Sequence, residues 1–211
     1  MSMTLIFDFD GTLALTLEET AKIFNTLAPE FNLPQITKEN VHLFREKSIR
    51  ELLKLYPLSP LQLLKLTRGI QLKLKTKINQ TPLPPGMKPA LQSLHRRGFT
   101  LGIVTTNSKP NVEAFLAHHQ LTEFFKFVYA ERHILGKAKA LKNCLQKYKL
   151  GRTDVWYIGD EVRDVEAARG AGIKIVSVTW GMNSEIRLRK AKPDQVVSQP
   201  RELLQLTFIS D

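Results

Sequence analysis

Thr81-Pro82-Leu83-Pro84-Pro85-Gly86 divides the chain into two kinds of sequence. Three prolines and a glycine so close together can continue neither a helix nor a central strand. Before this break, from about residue 15 to residue 80, the pattern is helical and no strand is indicated. Leu17, Ala21, Phe24 and Ala28 recur at helical spacing. Thr37 is a candidate N-cap for a second helix, and residues 49–56 read as a third. Ser59-Pro60-Leu61-Gln62 is a helix start: serine caps, proline takes the first turn and Gln62 completes a capping box. The helix that follows carries Leu63, Leu66, Ile70 and Leu74 on one stripe, with Gly69 as a weak point.

After the break, strands and helices alternate. Strands are expected at 99–104, 127–129, 154–158, 173–178 and 195–197. Helices are expected at 88–97, 111–119, 139–148, 162–169, 184–190 and from Pro200 onward. One further strand, at 3–10, precedes the helical block. Alternation of this kind predicts a parallel sheet with helices on both faces. The expected fold is therefore α/β, a doubly wound parallel sheet with a Rossmann-like core and an inserted helical domain. The core comprises 1–14 and 82–211, and the insert 15–81.

In open parallel sheets, ligands bind beyond the carboxyl ends of the strands. Polar residues at those ends are the candidates for chemistry. The first strand runs into Asp8-Phe9-Asp10-Gly11-Thr12-Leu13. Residues two apart in a strand share a side, so Asp8 and Asp10 start on one side, and Gly11 permits a sharp turn. Two carboxylates there are costly without a partner, and a hard cation such as Mg2+ offsets that cost. The plain alternative is a solvated turn. The strand at 99–104 ends in Thr105-Thr106-Asn107, and the strand at 154–158 in Gly159-Asp160-Glu161, with Asp164 one turn later. Gly136-Lys137 stands before a helix.

Singly, a threonine at a strand end is a cap, a lysine after glycine is solvated, and Gly-Asp before a helix is an N-cap. Together they supply the parts for phosphoryl transfer through an aspartate. A carboxylate attacks phosphorus and splits one hard hydrolysis into two easier steps. Thr105, Lys137 and nearby amides, with Thr106 and Asn107 beside them, are donors for the transferred group's charge. Asp160 with Asp8 can hold Mg2+, and Asp10 can protonate the leaving oxygen and then activate water.

Composition narrows the alternatives. A hydrophobic fraction of 43% in 211 residues indicates a globular chain rather than a disordered one. No apolar run of about 18 residues is present, so no membrane span is expected. Met1-Ser2-Met3-Thr4 lacks the basic-then-apolar pattern of a signal peptide. Cys144 is the single cysteine, which excludes an internal disulfide and a cysteine-rich zinc site. A cytoplasmic protein, monomer or homodimer, is the simplest expectation. Net charge is +11. That suits a small anionic substrate, a nucleic-acid partner or plain solubility. The runs Arg187-Leu188-Arg189-Lys190 and Lys73-Leu74-Lys75-Thr76-Lys77 are not interleaved with aromatics, which favours solvated helix faces over a stacking platform for single strands.

With these residues in place, the chain resembles the haloacid dehalogenase-like hydrolase superfamily, in its phosphoglycolate phosphatase-like branch, over nearly its full length. Asp8 to Leu13 matches the first motif, Thr105 the second, Lys137 the third, and Gly159-Asp160 through Asp164 the fourth. The resemblance implies Asp8 as nucleophile, Asp10 as acid/base and as a Mg2+ ligand through its main-chain carbonyl, and Asp160 as a Mg2+ ligand. Thr105 and Lys137 would bind the phosphoryl group. Asp164 would support the metal site or orient Lys137, with Glu161 and Gly11 in supporting places. The insert resembles the mobile cap of this branch. Arg45, Lys47 and Arg50 would meet the substrate's distal anionic group, and Trp180-Gly181-Met182-Asn183 would line the rim.

Relatives that cleave carbon–halogen or phosphonate bonds lack the second aspartate of the first motif; its presence as Asp10 favours phosphate esters. Ala14-Leu15 departs from the acidic or serine residue common there, and the cap lacks a histidine near its first helix, so the cap's specificity stays open. The implied activity is a Mg2+-dependent phosphatase for a small phosphorylated metabolite, phosphoglycolate-like or a sugar phosphate. A phosphomutase of the same fold, and a nucleic-acid-associated phosphatase or binding protein, are the alternatives. A receiver-like signalling domain also gathers acids, Thr and Lys at strand ends, but it carries its phosphorylated Asp after the third strand and has no helical insert.

Overall fold

The computed structural model describes residues 3–47, 49–131 and 136–206, without the side chains of Ile49 and Arg50. Six strands form one parallel sheet: β1 (Thr4–Phe7), β2 (Thr100–Thr105), β3 (Phe125–Ala130), β4 (Val155–Gly159), β5 (Lys174–Val178) and β6 (Gln195–Val197). Their spatial order is β3-β2-β1-β4-β5-β6. The connections leave β1 in one direction and return past it to β4. The point where strand order reverses is therefore between β1 and β4, the place where such sheets bind ligands.

The period of two decides the layers. Leu5 and Phe7 of β1 enter one core, with Ile103, Ile158 and Val176. Ile6 enters the other, with Val104, Tyr157 and Ile175. The central strands are buried on both faces and read as continuous apolar runs. Helices α5 (Met87–Arg96) and α6 (Lys109–His118) cover the first core through Leu91, Leu94, Val112 and Phe115. Helices α7 (Lys137–Lys147) and α8 (Val162–Ala171) cover the second through Leu141, Cys144, Val165 and Ala168. A short helix α9 (Glu185–Lys190) precedes β6.

Between β1 and β2 lie α1 (Leu17–Leu27), α2 (Val41–Glu46), α3 (Ile49–Leu55) and α4 (Pro60–Lys75). Ile23 and Leu27 of α1 pack against Leu66 and Leu74 of α4 in a separate small core. The Leu15 amide donates to the Pro82 carbonyl at 2.9 Å, so the two linkers run side by side. The capping box of Ser59 and Gln62 forms as expected. Gly69 also finds its reason: a Cβ there would sit 3.1 Å from Leu27 Cδ1, so the glycine permits close approach of α1 and α4.

Several local expectations change. Of the expected stripe, Ala28 is buried and Phe24 packs on the insert's core, Leu17 and Ala21 are partly buried, and Ile23 and Leu27 beside it are the buried residues of α1 that meet α4. Asn40, not Thr37, stands at the start of α2; Thr37 accepts the Val41 amide in the turn before it. The helix expected from Pro200 is a short 3-10 helix, Pro200–Leu204. Among the described residues, no helix is long and apolar enough to cross a membrane.

Candidate active site

β1 ends at Phe7, and the chain then stays extended for one more rung, with the Asp8 amide donating to the Ile158 carbonyl of β4 at 2.8 Å. Phe9 remains in the core, edge-on to Phe115. Amides of Leu13 and Ala14 then donate to the Phe9 carbonyl, which curls the chain into a tight loop. Gly11 makes that loop possible. Its φ is +76°, and a Cβ there would fall 2.2 Å from Asp160 Oδ2.

Asp8 is buried. Its Oδ1 accepts from the Phe9 amide at 2.7 Å and its Oδ2 from Lys137 Nζ at 2.5 Å. Lys137, at the first position of α7, also donates to Asp164 Oδ1. The other Asp164 oxygen accepts the amides of Asp160 and Glu161 at 3.0 and 2.9 Å. One buried carboxylate thus closes the first turn of α8 and holds the lysine against Asp8. Asp160 Oδ1 accepts from Thr12 Oγ1 at 2.7 Å, and Oδ2 from the Met182 amide at 2.7 Å. Oxygens of Asp8, Asp160 and Asp164 all lie within 4.8 Å of one another.

Asp10 faces another way. Both of its carboxylate oxygens accept from Asn107 Nδ2, at 3.1 and 3.0 Å. The Asn107 Oδ1 in turn accepts from Ser108 N and Asn111 Nδ2, which fixes the amide's orientation. Thr105 is buried and its hydroxyl accepts the Asn107 amide at 3.0 Å.

The charges are unbalanced. Burial pushes Asp8 up to about 7, against the pull of Lys137. Burial also raises Asp10, opposed by its hydrogen bonds from Asn107 and Thr16. Asp160 lies well above the usual carboxylate range through burial and the nearby Glu161, Asp164 and Asp8. Burial disfavours the charge on Lys137, but Asp164 and Asp8 outweigh it and hold the ammonium in place. Lys137 and Arg163 are the cations that offset Asp8, and Asp160, Asp164 and Glu161 add negative charge around it. An all-oxygen donor set with uncompensated negative charge fits a hard divalent cation.

The structure brings Asp8, Lys137, Asp160 and Asp164 together. It sets Asp10, Thr105 and Asn107 on the adjoining β2 side, with the Asn107 side chain turned to Asp10. The Thr106 carbonyl accepts from Gln71 of α4 at 3.3 Å. Glu161 pairs with Arg163 at 2.5 Å. Arg45 donates to the carbonyls of Met182 and Gly181, both at 3.1 Å. Lys47 follows the end of α2, and the side chain of Arg50 lies outside the described residues.

Four further contributors take their roles only in the fold. Thr12 reaches Asp160, Thr16 reaches Asp10, Arg163 faces the acids, and Asn183 receives the Val162 amide on its Oδ1 at 2.8 Å. Thr12 lies inside the first motif, Arg163 inside the fourth and Asn183 in the expected rim segment, but the contacts each makes come from tertiary approach.

Asp8, Lys137, Asp160 and Asp164 thus gather beyond the strand ends at the switch point of a parallel sheet, where folds of this class bind ligands. The family model for haloacid dehalogenase-like hydrolases matches residues 5–178, and the chain belongs to that family. It is 38% identical over 201 residues to a phosphoglycolate phosphatase of Synechococcus elongatus, covering 95% of each chain. A phosphoglycolate phosphatase of Haemophilus influenzae is 27% identical, over 95% of this chain and 96% of that one. The fold matches a haloacid dehalogenase-like family hydrolase from Streptococcus pneumoniae with a TM-score of 0.80 and 24% identity, covering 97% of both chains. The chain is accordingly a phosphoglycolate phosphatase-like phosphoric monoester hydrolase.

Proposed function

We propose that the chain hydrolyses a small phosphorylated metabolite of the phosphoglycolate class through an aspartyl-phosphate on Asp8, with Mg2+ as cofactor. The observation that carries this reading is Asp8 itself: buried, gripped by Lys137, and grouped with Asp160 and Asp164. Asp8, Asp160 and the Asp10 main-chain carbonyl would hold the cation, with Asp164 behind them. Bound there, Mg2+ would neutralise charge on the phosphoryl oxygens and draw Asp8 into its ionised form.

The residues divide the work. An oxygen of Asp8 forms a bond to phosphorus as the ester P–O bond breaks. Asp10, whose carboxyl burial pushes up so that it holds a proton more readily than an exposed aspartate, gives a proton to the departing oxygen. In the second half a water attacks phosphorus, Asp10 takes that water's proton, and the P–O bond to Asp8 breaks. Asn107 holds Asp10 in one orientation through both halves. Lys137 and Thr105 bind the phosphoryl oxygens, and Asp164 keeps Lys137 aimed. Residues 15–81 act as the cap that excludes water other than the attacking one.

The relatives named phosphoglycolate phosphatase support the substrate class, and the strong sequence coverage of both chains supports the same cap type. Inorganic phosphate release from 2-phosphoglycolate, measured with and without Mg2+, tests the reading. Wild-type protein should release phosphate only with the cation, and Asp8→Asn should abolish it with the fold intact. Turnover near the wild-type value in Asp8→Asn contradicts the mechanism. With a sugar phosphate as substrate instead, formation of an isomeric phosphate ester without phosphate release points to a phosphomutase.

A further inference from the structure

Beyond the reacting groups, one buried amide joins the loop after β5 to the start of α8 and to α2 of the insert. Asn183 is 4% exposed. Its Oδ1 accepts the Val162 amide at the start of α8, and its Nδ2 donates to the Arg45 main-chain carbonyl in α2 at 2.8 Å. Its own amide donates to the Asp160 carbonyl at 3.2 Å. The contact with α2 is reciprocal, because the Arg45 guanidinium grips the carbonyls of Gly181 and Met182. The Met182 amide is one of the two donors that fix the Asp160 carboxylate.

We propose that Asn183 is a positioning residue, with Arg45 as its partner on the cap, and that together they couple docking of the helical insert to the placement of Asp160 as a metal ligand. The inference rests on the metal reading given above. Undocking α2 removes the acceptor of Asn183 Nδ2 and both clamps on the 181–182 carbonyls at once. The loop is then free to take the Met182 amide away from Asp160. Other polar ties between insert and core, such as Arg187 on Glu51, Gln71 on the Thr106 carbonyl, His119 on the Thr81 carbonyl and Thr16 on Asp10, end elsewhere than on the loop that holds Asp160. The cation site therefore reaches its final form only under a docked cap, so substrate and metal favour the same closed state.

Calorimetric titration of MgCl2 into substrate-free wild-type, Asn183→Ala and Arg45→Ala proteins tests the coupling, alongside thermal melts of each. Loss of a residue that orients a metal ligand typically weakens metal affinity by about 10–100-fold. Both variants should show a weakening in that range, and the double variant should be no weaker than the weaker single one. Mg2+ affinity within about twofold of wild type in Arg45→Ala, with a native melt, overturns the proposal. So does an Asn183→Ala protein whose melting temperature falls while its Mg2+ affinity is unchanged. Arg45 is partly exposed, so its variant decides the matter if Asn183→Ala does not fold. A wild-type protein that binds no Mg2+ overturns the metal reading itself, an outcome distinct from either of these.

Discussion

Replacing Gly181 by alanine isolates the steric fit around Asp160. Gly181 does not occupy the left-handed region, so alanine adds no backbone strain; the effect is contact alone. A Cβ at this position would stand 2.2 Å from Asp160 Cβ and 2.3 Å from its Oδ2. Carbon atoms in contact sit about 3.5–4.0 Å apart, so the loop or Asp160 must give way by roughly 1.3 Å or more. Either movement breaks the 2.7 Å bond from the Met182 amide to Asp160. Overpacking of this kind costs about 1–3 kcal/mol. In a domain of this size each kcal/mol lowers the melting temperature by about 2–4 °C. The larger effect falls on turnover, because a misplacement of about 1 Å at a reacting centre costs about a hundredfold. Steady-state phosphate release across a Mg2+ series reads both effects. The expected result is a kcat about a hundredfold lower and a higher Mg2+ requirement, with the protein still folded at 25 °C. Wild-type kcat and Mg2+ dependence in Gly181→Ala would refute the placement of Asp160 in the metal site.

Mg2+ binding should release protons, because Asp8 sits up at about 7 and Asp160 is also raised by burial, whereas a bound cation needs both ionised. Calorimetry in buffers of different ionisation enthalpy should show release at pH 6 that fades by about pH 9; equal release at both would count against it. The raised Asp8 means that the metal-free fold binds more protons than the unfolded chain between the ordinary aspartate value and about 7. Asp8 therefore makes metal-free stability fall as pH rises through that window, and melts at fixed ionic strength should show the fall. Cys144 is buried with its thiol pushed up to about 12. It should react with a disulfide reagent at pH 8 only through opening of the fold, so that mild denaturant speeds labelling steeply; rapid labelling of the native protein would contradict its place between α7 and the sheet.

Much of this architecture was legible because two periods separate cleanly on either side of residues 81–86. The switch from helical spacing to strand–helix alternation indicated both the sheet and the insert. The candidate site was legible where chemistry sits at strand ends: Asp8, Thr105, Asp160 and, one turn on, Asp164. Lys137 followed from its order between them, although the structure starts its helix at Lys137 itself. What escaped the pattern depends on tertiary approach. Nothing local in Thr12 shows that a turn folds its hydroxyl onto Asp160, or that Asn107 spends its amide on Asp10. Arg45 on sequence was a cation for the substrate; in the fold its guanidinium is taken by two main-chain carbonyls. The packed side of α1 was legible at Phe24 and Ala28, but not that Ile23 and Leu27 carry the contact with α4.

The central claim is that Asp8 carries the phosphoryl group during turnover. Acid quench of the enzyme mixed with phosphorus-labelled 2-phosphoglycolate and Mg2+, followed by peptide mapping, tests it most directly. The account predicts transient label on the peptide containing Asp8, released by hydroxylamine as an acyl-phosphate should be, and absent in Asp8→Asn. Label on another residue, or full turnover with no labelled protein at any quench time, would contradict it.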